Sequence, residues 1–299
     1  MQLYYFKDKE GNFGDDLNPW LWSNLLPGAF DNDASELFIG VGTLLNHRIP
    51  NAQRTVVFGS GHGYGQRPAI DRNWHFYSVR GPLTAQALGL SADLAITDPA
   101  ALVPQFLQAD TTKKFAVSYM PHCDSARLGD WAIICQRAGV HFIDPRQPFL
   151  EVFQHIQQTE LLLTEAMHGA ILADAFRVPW IPVKAYDHIS EYKWQDWLQS
   201  VQVQTSFTPL TPVWRGDTDE KFTVRLKNSV KRSLVATPFW QQHWGKPLPA
   251  SSDERELEKA AKELASLALN IEPKLSSDMV FSANVDKLLA KVQQAKVDF

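Results

Sequence analysis

The sequence predicts an α/β protein with two domains, each built on a parallel β-sheet, followed by a helical C-terminal segment. The chain has 299 residues, more than a single domain usually holds. Short apolar runs alternate with helical patterns, as they do in β-α-β units. This alternation stops in a polar stretch at 104–114 and resumes after it. We therefore expect domains over 1–105 and 106–205 and a helical extension over 206–299.

Composition and charge narrow the class of protein. Hydrophobic residues make up 44% of the chain, charged residues make up 21%, and the net charge is −4. These values are typical of a soluble globular protein and give no support for nucleic-acid binding. Two cysteines, Cys123 and Cys135, are too few for a disulfide framework or a thiolate zinc site, and no metal is expected. The sequence shows no signal-peptide pattern and no apolar run of about 20 residues, so the expected compartment is the cytoplasm.

The first domain is predicted to contain five strands. Apolar runs place them at 2–6, 37–42, 54–58, 74–79 and 93–97, and helices are expected over 17–26 and 82–88. The second strand runs into Gly40 and Gly42, and the third runs into Gly59 and Gly61. Glycine at a strand end lets the backbone approach a ligand closely. The two glycine pairs therefore predict a binding site at this edge of the sheet.

The second domain repeats this alternation. Strands are predicted at 115–120, 140–143, 161–163 and 180–183, with helices at 131–138, at 149–158 and after His168. The C-terminal extension is expected to form helices at about 217–235, 252–269 and 278–296. A capping box from Ser251 to Glu254 indicates the start of the second of these helices.

The segment 161–184 is the central β-α-β unit. An apolar strand precedes Glu165 and His168, and the helix that follows ends at Pro179. In such units, ligands bind at the carboxyl end of a strand beside a helix N-terminus, which attracts anions. Glu165, His168 and Gly169 are therefore candidate contacts of a negatively charged ligand. The alternative interpretation of His168 is a buried histidine that caps the helix.

Four further polar residues follow strand ends or lie in turns. Arg80 lies between a predicted strand and a helix, a position from which a guanidinium group binds phosphate or carboxylate. The alternative for Arg80 is a salt bridge across the strand edge. Asn12 and Asp15 lie in the turn 11–16, where asparagine and aspartate form turns and cap helices. His122 follows a strand at a point equivalent to that of His168.

Seven segments, taken in order, resemble motifs of the polysaccharide pyruvyl transferase family. They are NFGDD at 12–16, IGVGTLL at 39–45, GSG at 59–61, VRGPLT at 79–84, TDPA at 97–100, EAMHGAI at 165–171 and VPWIPV at 178–183. The resemblance covers roughly residues 1–200. Members of this family transfer a pyruvyl group from phosphoenolpyruvate to sugar hydroxyls. Many of them carry Ser-x-Arg-Leu-His-Gly where this chain has EAMHG, so the arginine of that motif is missing here.

The resemblance implies a GT-B fold, in which two Rossmann-like domains face each other across a cleft. It also implies phosphoenolpyruvate as donor, no further cofactor, and a glycan acceptor, which in this family is often carried on a lipid at the inner membrane face. His168 would bind the donor and transfer a proton, since imidazole groups titrate near neutral pH. Arg80 would bind the donor phosphate or carboxylate, and Asp15 would orient or deprotonate an acceptor hydroxyl.

The remaining substrate-binding candidates lie in the same loops: Asn12, Gly42, Gly61, His122, Glu165, Gly169, Lys184 and Lys193. Family members carry a basic residue for the donor in this general region, and either Lys184 or Lys193 fills that role here. A second hypothesis is a GT-B glycosyltransferase that binds the ribose of a nucleotide sugar through Asp187. A third is a non-catalytic glycan-binding protein that stacks sugars on tryptophans, namely Trp20, Trp22, Trp194 and Trp197.

The stretch 220–234 is predicted to form a basic amphipathic helix. Phe222, Leu226 and Val230 recur at every fourth position, five lysines and arginines lie around them, and no acidic residue follows Glu220 within the stretch. This pattern predicts a peripheral contact with a membrane surface or a lipid-linked acceptor. The alternative is a packed helix with a solvated basic face.

Overall fold

Two parallel β-sheets form the framework of the protein. The computed structural model describes residues 1–107, 110, 112–217, 221–235, 237, 247 and 249–299. The strands are β1 (Gln2–Tyr4), β2 (Glu36–Ile39), β3 (Arg54–Phe58), β4 (Trp74–Ser78), β5 (Phe115–Met120), β6 (His141–Phe142), β7 (Thr159–Thr164), β8 (Trp180–Lys184) and β9 (Thr208–Pro209). The first sheet has the order β1-β2-β3-β4 and the second β6-β5-β7-β8-β9, with parallel pairing throughout. The predicted α/β class with two parallel sheets is confirmed.

Helices connect and cover these strands. They are α1 (Phe13–Leu25), α2 (Pro82–Leu88), α3 (Cys123–Leu128), α4 (Trp131–Ala138), α5 (Phe149–Gln157), α6 (Met167–Ala175), α7 (Glu191–Ser200), α8 (Phe222–Leu234), α9 (Glu254–Asn270) and α10 (Asp278–Asp298). Most lie where the periodicity of the sequence predicts them. Glu220, at the predicted start of the basic helix, lies outside the described residues.

The predicted strand at 93–97 is wrong. Residues Ala92–Leu94 form a 3₁₀ turn, and within 93–97 only Ala95 makes a bridge, to Val79. A second 3₁₀ helix, Pro99–Gln105, starts directly after Asp98, whose side chain accepts a hydrogen bond from its first turn. The 3₁₀ turn before this stretch and the 3₁₀ helix after it use backbone N–H and C=O groups that a strand would need for pairing. Too few residues remain between them to form a strand.

Helix α1 begins earlier than predicted, directly after Asn12, whose side-chain oxygen accepts a hydrogen bond from the backbone N–H two residues later. Pro19 therefore lies inside the helix and cannot donate to the carbonyl of Asp15. The side-chain amide of Asn18 donates to that oxygen instead, at 2.9 Å. Asn18 also bonds both backbone groups of Val41, which ties α1 to the loop after β2.

The cap of α9 also differs from the prediction. Asp253 accepts a hydrogen bond from the N–H of Glu256 at 2.9 Å, and the carboxylate of Glu256 accepts one from the N–H of Asp253 at 3.0 Å. The predicted cap residue Ser251 donates to the carbonyl of Arg215 at 2.8 Å instead. The same residue spacing recurs two positions later, so the sequence motif predicts a capping box but not its register.

The C-terminal helices complete the cores of both sheets rather than forming a separate appendage. Helix α9 packs against α4, and α10 packs against β4. Their buried contacts come from Ala260, Ala261, Leu264 and Leu267 of α9 and from Val285, Leu288, Val292 and Ala295 of α10. The domain limits at 105 and 205 stay predictions. Within the part of the chain that the structure describes, no helix is long and apolar enough to cross a membrane.

Candidate active site

Loops from both sheets line a cavity of about 930 Å³. Many of these loops follow the carboxyl ends of strands, because parallel strands bring those ends to one edge of each sheet. Polar side chains along the cavity include Asn12, Asp15, Tyr64, His122, Asp124, Arg127, Glu165, His168, His188 and Lys193. The cavity thus gathers most of the residues that the sequence predicts for a site, Gly42 among them.

His168 is paired with a buried carboxylate. Its Nε2 atom lies 3.5 Å from Oδ2 of Asp98, which is wholly buried. The other oxygen of Asp98 accepts a hydrogen bond from the N–H of Ala100 at 2.9 Å. Neither Nε2 nor Oδ2 makes a hydrogen bond within the described residues. Because burying a carboxylate oxygen without a partner is costly, the imidazole of His168 is the group placed to interact with Asp98.

Asp15 lines the cavity at the start of α1, directly after Gly14. A Cβ atom on Gly14 would lie 2.2 Å from Nδ1 of His168, so glycine is needed for this close approach. Burial raises the pKa of Asp15 to about 6, against the opposing effect of His168 and Lys193. Asn12 donates a hydrogen bond to its Oδ2 at 2.6 Å. The carboxyl group is thus placed beside the histidine and titrates close to neutral pH.

Lys193 supplies a cation at the cavity. Burial and the charge of Arg80 lower the pKa of its ammonium group to about 8. Its Nζ donates a hydrogen bond to the hydroxyl of Tyr64, and the described residues provide no carboxylate in ion-pair contact with it. Lys184, in contrast, is paired with Glu191 at 2.7 Å and does not line the cavity. Of the two lysines left open by the sequence, the structure brings Lys193 to the cavity.

A second group of titratable side chains lies beside Lys193. The ligand atoms of His122, Asp124 and His188 lie within 4.8 Å of one another, a spacing that suits a metal ion. Burial lowers the pKa of both histidines, that of His122 to about 3, and the charge of Lys193 acts in the same direction. Asp124 is paired with Arg127 at 2.9 Å. The positive charges of Lys193 and Arg127 next to this group favour an anion over a cation.

The N-terminus of α6 also borders the cavity. No side chain caps it, and its first residues, Met167 and His168, line the cavity. Glu165, just before it, accepts hydrogen bonds from the N–H groups of Ala185 at 2.6 Å and His122 at 3.3 Å. Glu165 therefore holds three strand-end loops together, and the uncapped helix end offers N–H groups to an anion.

Arg80 does not line the cavity. Its side chain is wholly buried, and its Nε donates to Asp196 of α7 at 3.0 Å. Nη1 donates to the hydroxyl of Thr43 at 2.7 Å, and Nη2 donates to the carbonyl of His62 at 3.2 Å. The structure thus has the salt bridge that was the alternative interpretation, because α7 covers this strand end. The expected direct contact of Arg80 with a donor phosphate stays a prediction.

The glycines contact the protein's own side chains. A Cβ on Gly61 would lie 2.2 Å from Cζ of Arg80, and one on Gly169 would lie 2.7 Å from the hydroxyl of Thr164. Gly42 has φ of +127° and would place a Cβ 2.9 Å from the carboxylate of Asp15. Gly61 and Gly169 do not line the cavity, and their predicted ligand contacts stay predictions.

The residues expected for the two other hypotheses do not form a site. Trp22, Trp194 and Trp197 are at most 1% exposed, and Trp20 packs among aromatic rings. Trp22, Trp194 and Trp197 are therefore core residues that offer no stacking surface for a sugar, and Trp20 is partly buried against the core. Asp187 is exposed and lies outside the cavity lining, so it is not placed to bind a ribose there.

Three residues at the site were missed or left without a role by the sequence analysis. Asp98 follows an apolar run, but nothing in the sequence indicates that it reaches His168. Tyr64 and Arg127 line the cavity from a loop and from α3. Arg127 forms ion pairs with Asp8 and Glu10 as well as with α3, and such long-range contacts have no signal in a single sequence.

The chain is similar to a known protein family and to a curated protein. The family model described as polysaccharide pyruvyl transferase matches residues 67–188. The chain is also 45% identical over 207 residues to the succinoglycan biosynthesis protein ExoV of Rhizobium meliloti (strain 1021). That alignment covers 68% of this chain and 66% of the relative, so the chain spans just under two thirds of the length of the curated relative that it matches. His168 and Asp98 both lie within the matched family region.

Proposed function

Because the chain belongs to the polysaccharide pyruvyl transferase family, we propose that it transfers the pyruvyl group of phosphoenolpyruvate to two hydroxyl groups of an exopolysaccharide precursor, forming a pyruvate ketal. The observation that carries the proposal is the arrangement of His168, backed by Asp98, with Asp15 and Lys193 in one cavity. The exopolysaccharide context comes from the name of the Rhizobium meliloti relative.

The donor is a small molecule with two anionic groups. Phosphoenolpyruvate carries a phosphate and a carboxylate, which require fixed cations and backbone N–H groups. Lys193 and the uncapped N-terminus of α6 supply both kinds of group on the second-sheet side of the cavity. Arg127 adds a further positive charge there, although Asp8 and Glu10 neutralise part of it. Lys193 is therefore the donor-binding cation in this proposal.

The proton steps use His168 and Asp15. His168 donates a proton to the methylene carbon of the donor while the oxygen of the first sugar hydroxyl bonds to the adjacent carbon. Asp15 takes the proton of that hydroxyl. Phosphate then leaves with the electron pair of its C–O bond, and the second hydroxyl bonds to the same carbon. The two sugar hydroxyls lose two protons in total. One proton is gained by the new methyl group, and the other leaves with phosphate.

The acceptor occupies the first-sheet side. Asp15 and Asn12 lie at the start of α1, and the cavity of about 930 Å³ is larger than phosphoenolpyruvate needs, so it has room for a sugar unit. Two parallel sheets bordering one cavity support a GT-B arrangement, with the acceptor on the domain 1–105 and the donor on the domain 106–205. Phosphoenolpyruvate is a cytoplasmic metabolite, so we assign the reaction to the cytoplasm.

The test is an activity assay with purified protein, phosphoenolpyruvate and a panel of lipid-linked or model glycosides. We expect phosphate release together with a mass gain of one pyruvyl ketal on the acceptor. Thermal stability should rise with phosphoenolpyruvate and stay unchanged with nucleoside diphosphates. Stabilisation by nucleoside diphosphates alone would favour a glycosyltransferase. Stabilisation by phosphoenolpyruvate, with no phosphate released from it in the presence of any glycoside, would reject the transfer reaction.

A further inference from the structure

Helix α8 exposes its apolar residues. Phe222, Leu226 and Val230 follow one another at every fourth position, and their side chains are 76%, 56% and 53% exposed. Residues four apart lie on the same face of a helix, so the three form one continuous stripe. A helix on the surface of a globular protein normally turns such a stripe toward the core. In α8 the stripe points to solvent.

The helix is attached to the protein through its polar face. Arg232 donates a hydrogen bond to the carboxylate of Asp217 at 3.2 Å, and the side chain of Asn228 bonds to the same carboxylate. At 100° per residue, Asn228 and Arg232 lie on the side of the helix away from the stripe. This attachment explains why the stripe faces outward. A core-facing orientation would require Asp217 to lose both partners.

Basic residues flank the stripe on both sides. Arg225 lies along one edge of it and Lys227 along the other, and Lys221 precedes the first turn; all three are exposed. Residues 221–235 contain no acidic residue, although the whole chain has a net charge of −4. An apolar stripe bordered by cations is complementary to a surface with an apolar interior and anionic groups at its edge.

We propose that α8 is a docking surface for an anionic lipid bilayer. Phe222, Leu226 and Val230 insert at the boundary of the headgroups, and Lys221, Arg225 and Lys227 contact the negative headgroups. A bilayer presents anionic groups on both sides of an inserted helix, whereas a protein partner would need an apolar groove with acidic residues along both rims. Three modest apolar side chains bury little area, so attachment depends on the charge of the lipid and weakens with salt. This proposal is independent of the pyruvyl transfer reaction.

The test is flotation of the full chain with vesicles of phosphatidylcholine alone or mixed with phosphatidylglycerol. We expect at least tenfold more protein on the anionic vesicles at low salt and a loss of this difference at high salt. The variant Lys221→Gln, Arg225→Gln, Lys227→Gln should lose at least tenfold in binding, and Phe222→Ser, Leu226→Ser, Val230→Ser should lose a similar amount. Equal recovery on both lipids would overturn the proposal.

A matched control removes the same number of charges elsewhere. Lys259→Gln, Lys262→Gln, Lys287→Gln changes three lysines of α9 and α10 and should bind anionic vesicles as the wild type does. An equal loss in this control would mean that total charge, rather than α8, determines binding. A dimer that forms without lipid and is lost in the serine variant would also overturn the proposal, because a second copy would then cover the stripe. Unchanged melting temperatures would show that the exposed substitutions leave the fold intact.

Discussion

Arg80 and His168 both lie after the carboxyl end of a strand, and their environments are opposite. Each follows a strand and adjoins or begins a helix, and the sequence predicts a ligand contact for both. Arg80 is wholly buried under α7 and paired with Asp196. His168 is 12% exposed, lines the cavity and faces a carboxylate that has no other partner on that oxygen among the described residues. A strand end identifies the edge of a sheet, but the element that covers it decides between a structural and a chemical role.

The covering element is attached by more than one contact. The two oxygens of Asp196 also accept hydrogen bonds from the N–H and hydroxyl of Thr84, at 2.8 and 2.6 Å. A Cβ on Gly81 would lie 2.0 Å from the backbone oxygen of Asp196, so the helix approaches the first domain closely. The pair of Arg80 and Asp196 thus joins α7 to the strand end of β4, and it holds Lys193 of the same helix at the cavity.

The largest effect is expected on stability. Arg80→Ala should lower the free energy of unfolding by about 3–5 kcal/mol, because it leaves Asp196 buried without its counter-charge. Denaturant titration measures this loss. Asp196→Ala should cost a similar amount, and the double variant should cost less than the sum of the two. If the Arg80→Ala protein had unchanged stability and weak donor binding, Arg80 would contact the donor rather than stabilise the fold.

His168 should show the opposite behaviour. His168→Ala removes the proton donor and should slow pyruvyl transfer roughly 100- to 1,000-fold, about 3–4 kcal/mol, with little change in melting temperature. Phosphate release in a single turnover measures the chemical step. His75→Ala changes an exposed histidine and serves as the control, with activity near that of the wild type. Full activity in the His168 variant would remove it from the reaction.

The positive charge of Lys193 in the cavity leads to a prediction about donor affinity. Lys193→Met should weaken phosphoenolpyruvate binding about 10- to 100-fold, since a hydrogen bond to a charged group contributes about 1.5–3 kcal/mol. Because burial lowers the pKa of Lys193 to about 8, the ammonium charge is lost as the pH rises through 8, and wild-type affinity should fall there. Lys184→Met is the control and should leave both affinity and its pH dependence unchanged. An identical alkaline fall in the Lys193 variant would contradict this assignment.

The sequence predicts the strands and helices better than the side-chain contacts between distant segments. Local patterns suffice for β7, α6 and the position of His168, because strand and helix periodicity are properties of neighbouring residues. They do not identify Asp98 behind the histidine or Asp196 beside Arg80, since each contact joins segments far apart in the chain. The neighbours of the glycines are hidden for the same reason. Gly61 makes room for Arg80, and only the folded arrangement reveals this.

Asp98 should affect catalysis and not donor binding. Asp98→Asn keeps the oxygen that accepts from Ala100 but removes the charge that faces His168. We expect kcat to fall about tenfold, near 1.4 kcal/mol, with an unchanged KM for phosphoenolpyruvate. A purely structural role would lower stability and change both constants. A rise in KM with normal kcat would show that Asp98 acts on binding rather than on the position and charge of the imidazole.

The smallest effect concerns Asp15 and is a gain in stability. Burial raises its pKa from 3.8 to about 6, so the folded protein keeps this proton to higher pH than the unfolded chain does. The stabilising contribution is therefore complete below about pH 4 and is lost as the pH rises through 6, where the folded state acquires a desolvated charge. Asp15→Asn stays neutral and should be more stable than the wild type by about 1 kcal/mol at pH 7.5, less than the full pKa change because the group borders an open cavity. The two proteins should be equally stable at pH 4.

The control is Asp16→Asn, which changes a carboxylate that accepts a hydrogen bond from the N–H of Asn12 at 2.9 Å. This variant should show no such gain in stability. The measurement is the melting temperature of each protein across this pH range. A difference between Asp15→Asn and wild type that does not change with pH would contradict the raised pKa of Asp15, which the proposed proton transfer requires.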